Sequence, residues 1–241
     1  MENKTVIVTG GTQGIGKAIS NKLLEENYFV VIADITDTDE KLVKNTLFVK
    51  CDISKEEETQ NLFSMVISKR KIINAVVNNA GIIRDNVIWK MLKEDMDKVI
   101  DVNLKGTWMM CKEAAKIMKE QKYGRIVNIS SRAWLGNNAG QSNYTASKAG
   151  IVGLTRVLAL ELGKYNVNVN AIAPGLIDTP LTQNLSENVL KDLINAQPTK
   201  KMGKPIDIAN AVSFLLSEKS DFITGQIIHI DGGKSIGSTI F

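Results

Sequence analysis

Cysteine is nearly absent from this chain of 241 residues: Cys51 and Cys111 stand alone in unrelated contexts. Such a pair has neither metal-ligand spacing nor the look of a disulfide framework, so both are read as buried or semi-buried free thiols. Histidine occurs once, as His229 in a hydrophobic strand pattern, which suits a satisfied core or interface residue. With no His/Cys/carboxylate cluster, no metal is expected. No apolar run approaches the roughly 20 residues of a membrane helix. Met1-Glu2-Asn3-Lys4 runs straight into a strand pattern without a signal-peptide core. Charge of one sign is also lacking: the net +4 is spread along the chain, and Lys69-Arg70-Lys71 reads as a solvated helix end. Neither nucleic acid nor a membrane is therefore expected as a partner, and a cytoplasmic setting is the default.

What is present is alternation. The chain is 44% hydrophobic, and short β-branched runs alternate with longer amphipathic stretches. Val6-Ile7-Val8, Val30-Val31-Ile32, Leu47-Phe48-Val49, Ala75-Val76-Val77, Arg125 to Ile129, Val167 to Ala173 and Ile227 to Ile230 read as strands. Helices are predicted from about Ile15, over Lys55 to Lys69, over Met96 to Gln121, after Asn143 and over Pro205 to Ser217. Near-continuous apolar strands separated by helices predict an α/β fold, a doubly wound parallel sheet flanked by helices on both faces. No repeat or linker divides residues 1–241, so a single domain is expected. The least regular stretch lies between Pro174 and Pro205, with a helical pattern from Asn188 to Ala196. Residues 178–204 are expected to form a flap beside the active site.

Thr9-Gly10-Gly11-Thr12-Gln13-Gly14-Ile15-Gly16 links the first strand to the first helix. Glycines here allow positive φ and close approach to a pyrophosphate, which the exposed helix-start N–H groups would bind. A tight turn alone would account for a lone glycine cluster, but its place between strand and helix favours a nucleotide site. Asp34 ends the second strand, twenty residues after Gly14. A carboxylate there accepts from both ribose hydroxyls and repels a 2′-phosphate, unless it is simply a strand-end turn residue. The expectation is NAD, with NADP not excluded because Lys17 lies near in sequence.

Tyr144-Thr145-Ala146-Ser147-Lys148 sets a phenol and an ammonium one helical turn apart on one face. A free tyrosine titrates near ~10, and a lysine cation beside it lowers that value. Many helix surfaces carry this spacing without consequence. Here Ser131 follows the fifth strand at its carboxyl end, where a hydroxyl can meet a substrate carbonyl or alcohol. Asn103 stands inside a helical pattern, where its amide must find a partner.

With these motifs the sequence resembles the short-chain dehydrogenase/reductase family over essentially its whole length. The turn Thr9 to Gly16, Asp52, Asn78-Asn79-Ala80-Gly81, Asn103, Ser131, Tyr144, Lys148 and Pro174-Gly175 occur in the expected order. The resemblance implies a Rossmann-type fold with Tyr144 as acid/base, Lys148 as ribose ligand and pKa modifier, and Ser131 as carbonyl polariser. It assigns Asn103 to a structural water in a proton relay. It implies cofactor contacts from Gly10, Thr12, Gln13, Gly14, Ile15 and Gly16, from Asp52, Ile53, Asn79, Ala80 and Gly81, and from Pro174, Gly175, Ile177 and Thr179.

Within the family, Asn79 to Asn86 and Gly140 to Tyr144 look like 3-oxoacyl reductases. That implies 3-oxoacyl or 3-hydroxyacyl thioesters of acyl carrier protein or coenzyme A as substrates. Lys122, with Lys164 beside Tyr165, would form the basic patch for a carrier protein. Sugar, polyol or other ketone substrates are the alternative, and a cofactor-binding regulator without turnover is a further one. Trp89, Trp134 and Leu135 line an apolar pocket or pack in the core or an interface. The resemblance also implies a homotetramer built on the late helix and the C-terminal strand region.

Overall fold

The computed structural model describes residues 3–37, 43–183 and 186–237; the outer ends of the expected domain, and two residues of the expected flap, lie outside that range. Seven strands form one sheet: β1 (Thr5–Thr9), β2 (Phe29–Asp34), β3 (Thr46–Lys50), β4 (Ala75–Asn78), β5 (Gly124–Ile129), β6 (Val167–Pro174) and β7 (Ile227–Ile230). All pairings are parallel and the order is β3-β2-β1-β4-β5-β6-β7. The doubly wound parallel sheet expected from the strand pattern is thus present.

Period-two alternation divides each central strand between two cores. Ile7, Val31, Val76 and Ile126 face one side, where they meet α2 (Glu56–Arg70), α4 (Thr107–Gln121) and α5 (Ser142–Leu162). Val6, Val8, Val77 and Val127 face the other, against α1 (Gly14–Glu25) and α8 (Pro205–Leu216). Because both faces are covered, the strands contain few polar residues. Each fully buried Val or Ile there contributes about 1.5–3 kcal/mol.

Chain order places the site. From β1 the chain winds outward through β2 and β3, then returns to lay β4 against the opposite edge of β1. Helices on either side of that reversal diverge, and a crevice opens at the carboxyl ends of β1 and β4.

One predicted element is corrected. The helix expected over Met96–Gln121 begins earlier and is not uniform: α3 (Lys93–Val99) passes into a π-helical stretch, Ile100–Gly106, before α4. Asn103 sits in the widened turn. Wide turns of this kind frequently mark functional positions.

The irregular excursion is held at its neck. Ile177 bridges Gly203 in parallel fashion, Asp178 N donates to Gly203 O at 2.9 Å, and Gly203 N donates to Leu176 O at 3.0 Å. Beyond it lie α6 (Pro180–Gln183) and α7 (Glu187–Asn195). Among the described residues no helix is long and apolar enough to cross a membrane.

Candidate active site

The glycine turn is built for close approach. Gly10 has φ +64° and Gly14 φ +52°, both in the left-handed region. A Cβ on Gly16 would stand 2.0 Å from the Gly10 carbonyl oxygen, so no larger residue fits. Asn79 fastens this turn from β4, its Nδ2 donating to the carbonyls of Thr9 and Gly10, each at 3.0 Å. Thr9 Oγ1 reciprocates by accepting from the N–H groups of Asn79 and Ala80. Gln13 gives the start of α1 no side-chain cap, and the first turn holds no acidic residue. The helix-start N–H groups therefore stay available to an anion. This turn fits a pyrophosphate.

Asp34 is tied to the same turn. Its Oδ2 accepts from Thr12 Oγ1 at 2.6 Å and Thr12 N at 3.2 Å, while Oδ1 accepts from Thr36 N at 3.1 Å. Asp52 folds its own loop by accepting from Ser54 N and Oγ, and Ile53 packs on Gly106. Across the crevice, Pro174 ends β6, Gly175 lies against Asp231, and Thr179 faces Gly14.

Tyr144 and Lys148 stand one turn apart on α5, with Lys148 Nζ 5.5 Å from the Tyr144 ring centroid. Lys148 Nζ donates to Ile129 O at 2.8 Å, and Ser130 Oγ donates to Lys148 O. Ser131 begins a short 3₁₀ turn and accepts from Ala133 N through Oγ at 3.1 Å. That bond uses an oxygen lone pair and leaves the hydroxyl hydrogen free to donate. Beneath them, Asn78 Nδ2 donates to Asn128 Oδ1, and Asn128 Nδ2 donates to Thr155 Oγ1. This buried chain ties β4, β5 and α5 together.

The fully buried Asn103 does not reach the cleft. Its Oδ1 accepts from Ile82 N at 2.8 Å, and its Nδ2 donates to Ile82 O at 3.0 Å and Ser147 Oγ at 3.2 Å. Ser147 Oγ in turn donates to Tyr144 O at 2.7 Å.

Electrostatics depart from one expectation. Burial pushes the Tyr144 phenol up to about 12; the Ser131 hydroxyl opposes this and the Asp85 charge adds to it. Burial pushes the Lys148 ammonium down to about 8. The lysine was expected to lower the tyrosine, but loss of water around the phenol raises it instead. Burial also pushes each of Cys51 and Cys111 up to about 12, as suits inert thiols.

A cleft of about 1400 Å³ joins these parts. Asp34, Asp52, Ile53 and Gln13 line one end. Gly10, Ile15, Asn79, Ala80 and Gly81 line the middle, with Ser131, Tyr144 and Lys148 beyond them. Pro174, Gly175, Ile177 and Thr179 complete the wall. Thr12, Gly14, Gly16 and Asn103 are not on its surface and act from behind it. Trp89, Trp134 and Leu135 are not on it either. Trp134 instead lies 6.0 Å from His229, ring to ring. His229, expected as a satisfied core or interface residue, has its Nδ1 buried without a hydrogen bond inside this chain.

A family model described as enoyl-(acyl carrier protein) reductase, of the short-chain type, matches residues 10–235. The chain belongs to the short-chain dehydrogenase/reductase family. It is an oxidoreductase of a family that uses a nicotinamide cofactor. It is 40% identical over 98% of its length to the hydroxy(phenyl)methylsuccinyl-CoA dehydrogenase subunit BbsD of Thauera aromatica, covering 98% of that protein. The 3-oxoacyl-(acyl-carrier-protein) reductase FabG of Staphylococcus epidermidis is 38% identical over 96% of this chain and 98% of its own length. The crystal structure of levodione reductase superposes with a TM-score of 0.91 at 30% identity, covering 97% of this chain and 98% of that one.

Sequence reasoning missed several residues of the site. Ser147, Asn143 and Ser130 are buried and support the catalytic helix; Asn143 Nδ2 donates to Arg84 O at 2.7 Å. For Asn143 and Ser147 the signal was polarity on a helix face that had to be buried; Ser130 stands just past the end of β5. Val189 and Leu193, one turn apart on α7, line the cleft from the excursion. Arg132 lines it beside Ser131.

Proposed function

We propose that this protein transfers hydride between NAD(H) and C3 of a 3-oxoacyl or 3-hydroxyacyl thioester. The observation that carries this reading is one cleft bordered by the glycine turn, by Asp34, and by Ser131, Tyr144 and Lys148. When bound, the nicotinamide group supplies or takes up the hydride; everything else falls to the chain. The N–H groups at the start of α1 hold the pyrophosphate, and Asp34 accepts from the ribose hydroxyls, which favours NAD over NADP. Lys148 binds the second ribose.

In reduction, Ser131 donates a hydrogen bond to the substrate carbonyl oxygen and Tyr144 donates the proton that the developing alkoxide requires. A phenol held near 12 is protonated at neutral pH and suited to donate. Oxidation runs the same proton backwards and needs the phenol lowered by positive charge from Lys148 and the bound cofactor. Asn103 positions the loop at Ile82 and, through Ser147, the first turn of α5. Residues 178–204, whose Val189 and Leu193 face the cleft, form the flap over the substrate.

The thioester reading draws on the relatives, one named for a CoA compound and several for oxoacyl-carrier-protein reduction. A carrier protein would meet Lys122 and Lys164, whose Nζ atoms lie 4.5 and 5.1 Å from the Tyr165 ring centroid. For a homotetramer, Leu160 and Phe222 offer strongly exposed apolar surface. The deciding experiment is a panel of 3-oxoacyl and 3-hydroxyacyl thioesters, simple ketones and sugars, each with NAD(H) and NADP(H). Turnover of thioesters with NAD(H) is expected. A preference for sugars, polyols or simple ketones would replace the substrate assignment.

A further inference from the structure

The cleft contains a cation that proton and hydride transfer do not use. Arg132 directly follows Ser131 and lines the same cleft. It is half-buried, and loss of water holds its guanidinium below the usual arginine value, only partly opposed by Asp231. Among the described residues no ion pair includes it. Its hydrogen bond is a long one, from Nη2 to Asn138 Oδ1 at 3.5 Å. Asp231 makes no hydrogen bond or ion pair with it among the described residues, and its Oδ1 and Oδ2 accept from Gly233 N and Ser235 N.

The buried Arg125 shows what this fold does with a structural guanidinium. It pairs with Asp221 and donates to the carbonyls of Gly124 and Asn166. A desolvated, unpaired guanidinium is costly unless a partner of opposite charge arrives. Arg132 is also held from behind. Asn138 Nδ2 donates to Gln141 Oε1 at 2.8 Å, and Gln141 Nε2 donates to Asp85 Oδ2 at 2.7 Å. That chain of amides ends on a carboxylate and keeps the Asn138 oxygen turned toward the arginine. All three of Arg132, Asn138 and Gln141 border the cleft.

We propose that Arg132 is a specificity-determining residue that binds a carboxylate carried on the acyl part of the substrate. Arg132 follows Ser131 directly and lines the same cleft, so the anion it receives is placed on a part of the substrate near the carbon held at Ser131 and Tyr144. Phosphates of a coenzyme A or pantetheine arm are many bonds from that carbon. A carboxylate also matches the planar guanidinium fork. Naming the acyl part rests on the thioester reading above.

The test compares N-acetylcysteamine thioesters, which lack those phosphates, of 3-hydroxybutyrate and 3-hydroxyglutarate. The wild type should favour the carboxylated substrate in kcat/KM by about tenfold or more, the scale of a charge-assisted hydrogen bond. In Arg132→Gln that ratio should collapse toward one, and Arg132→Lys should retain part of it. An even ratio in the wild type, or an unchanged ratio in Arg132→Gln, overturns the proposal. Should neither thioester turn over, the thioester reading fails, and the anion site is then judged by binding. With NAD present, glutarate but not dimethyl glutarate should raise the Tm of the wild type and leave Arg132→Gln unmoved. A glutarate shift in both proteins, or in neither, overturns it. A Tm increase with NAD alone certifies that the variant is folded.

Discussion

Asn103 grips the peptide of Ile82 at both ends, accepting from its N–H at 2.8 Å and donating to its carbonyl at 3.0 Å. The third contact of the same amide, to Ser147 Oγ, carries on to the Tyr144 carbonyl. The loop after β4 and the helix that carries Tyr144 are thereby set against each other through one side chain. Asn103→Ala leaves buried polar groups of Ile82 unpaired, at about 1–3 kcal/mol. We expect a lower Tm in thermal unfolding, with kcat falling more than KM rises. A variant with wild-type Tm would show that the grip is dispensable.

Tyr144→Phe removes only the transferable proton. Turnover should drop by at least about a thousandfold, of the order attributed to a positioned acid or base. Cofactor affinity, measured by fluorescence titration, should stay within about threefold. Near-normal kcat would end the role assigned to the phenol.

Lys148 sets a pH limit. Its ammonium, lowered to about 8 by burial, is charged below that value and neutral above it. Reductive kcat/KM should therefore fall as pH rises through about 8, since the charge that supports the alkoxide and ribose contacts disappears. The same depression bears on folding. Between about 8 and the ordinary lysine value the unfolded chain binds more protons than the folded one, so this group makes stability rise with pH across that window. Tyr144, raised to about 12, has the opposite effect above about 10. A rate profile flat from pH 7 to 10 would contradict the lysine assignment.

Gly16→Ala places a Cβ on the Gly10 carbonyl, 2.0 Å away, with the Asn79 amide nitrogen at 2.5 Å. The turn cannot close around that atom. Cofactor binding should be lost in calorimetry, with a fall in Tm; retention of wild-type affinity would mean that the turn does not hold the pyrophosphate.

Asp34→Ala should reduce the ratio of NAD to NADP efficiency by at least about tenfold, because a carboxylate no longer opposes the 2′-phosphate. Steady-state kinetics with both cofactors check this. A wild type that already prefers NADPH would reverse the assignment.

The strands were legible because their apolar runs are buried on both faces, and the Tyr144–Lys148 pair because its spacing is one helical turn. The π-helical stretch was not. No residue type marks a π-helical turn, and the partner that holds Asn103 is a backbone peptide 21 residues away. Arg132 was also missed, since its lack of an ion pair is a property of space and not of neighbouring residues. The Tyr144 value was misjudged for a related reason: a lysine four residues on can be read from the chain, whereas exclusion of water cannot.

Thr12 Oγ1 donates to Asp34 Oδ2 at 2.6 Å, which makes the glycine turn and the carboxylate at the end of β2 a single mechanical part. Under the NAD reading, conversion to the phosphorylated cofactor is therefore a two-site problem. Arginine at position 34 would strand the Thr12 hydroxyl and amide, and the turn would loosen where it must grip. An engineered or natural switch must repair Thr12 in the same step, and a library varied at position 34 alone should yield weak binders of both cofactors.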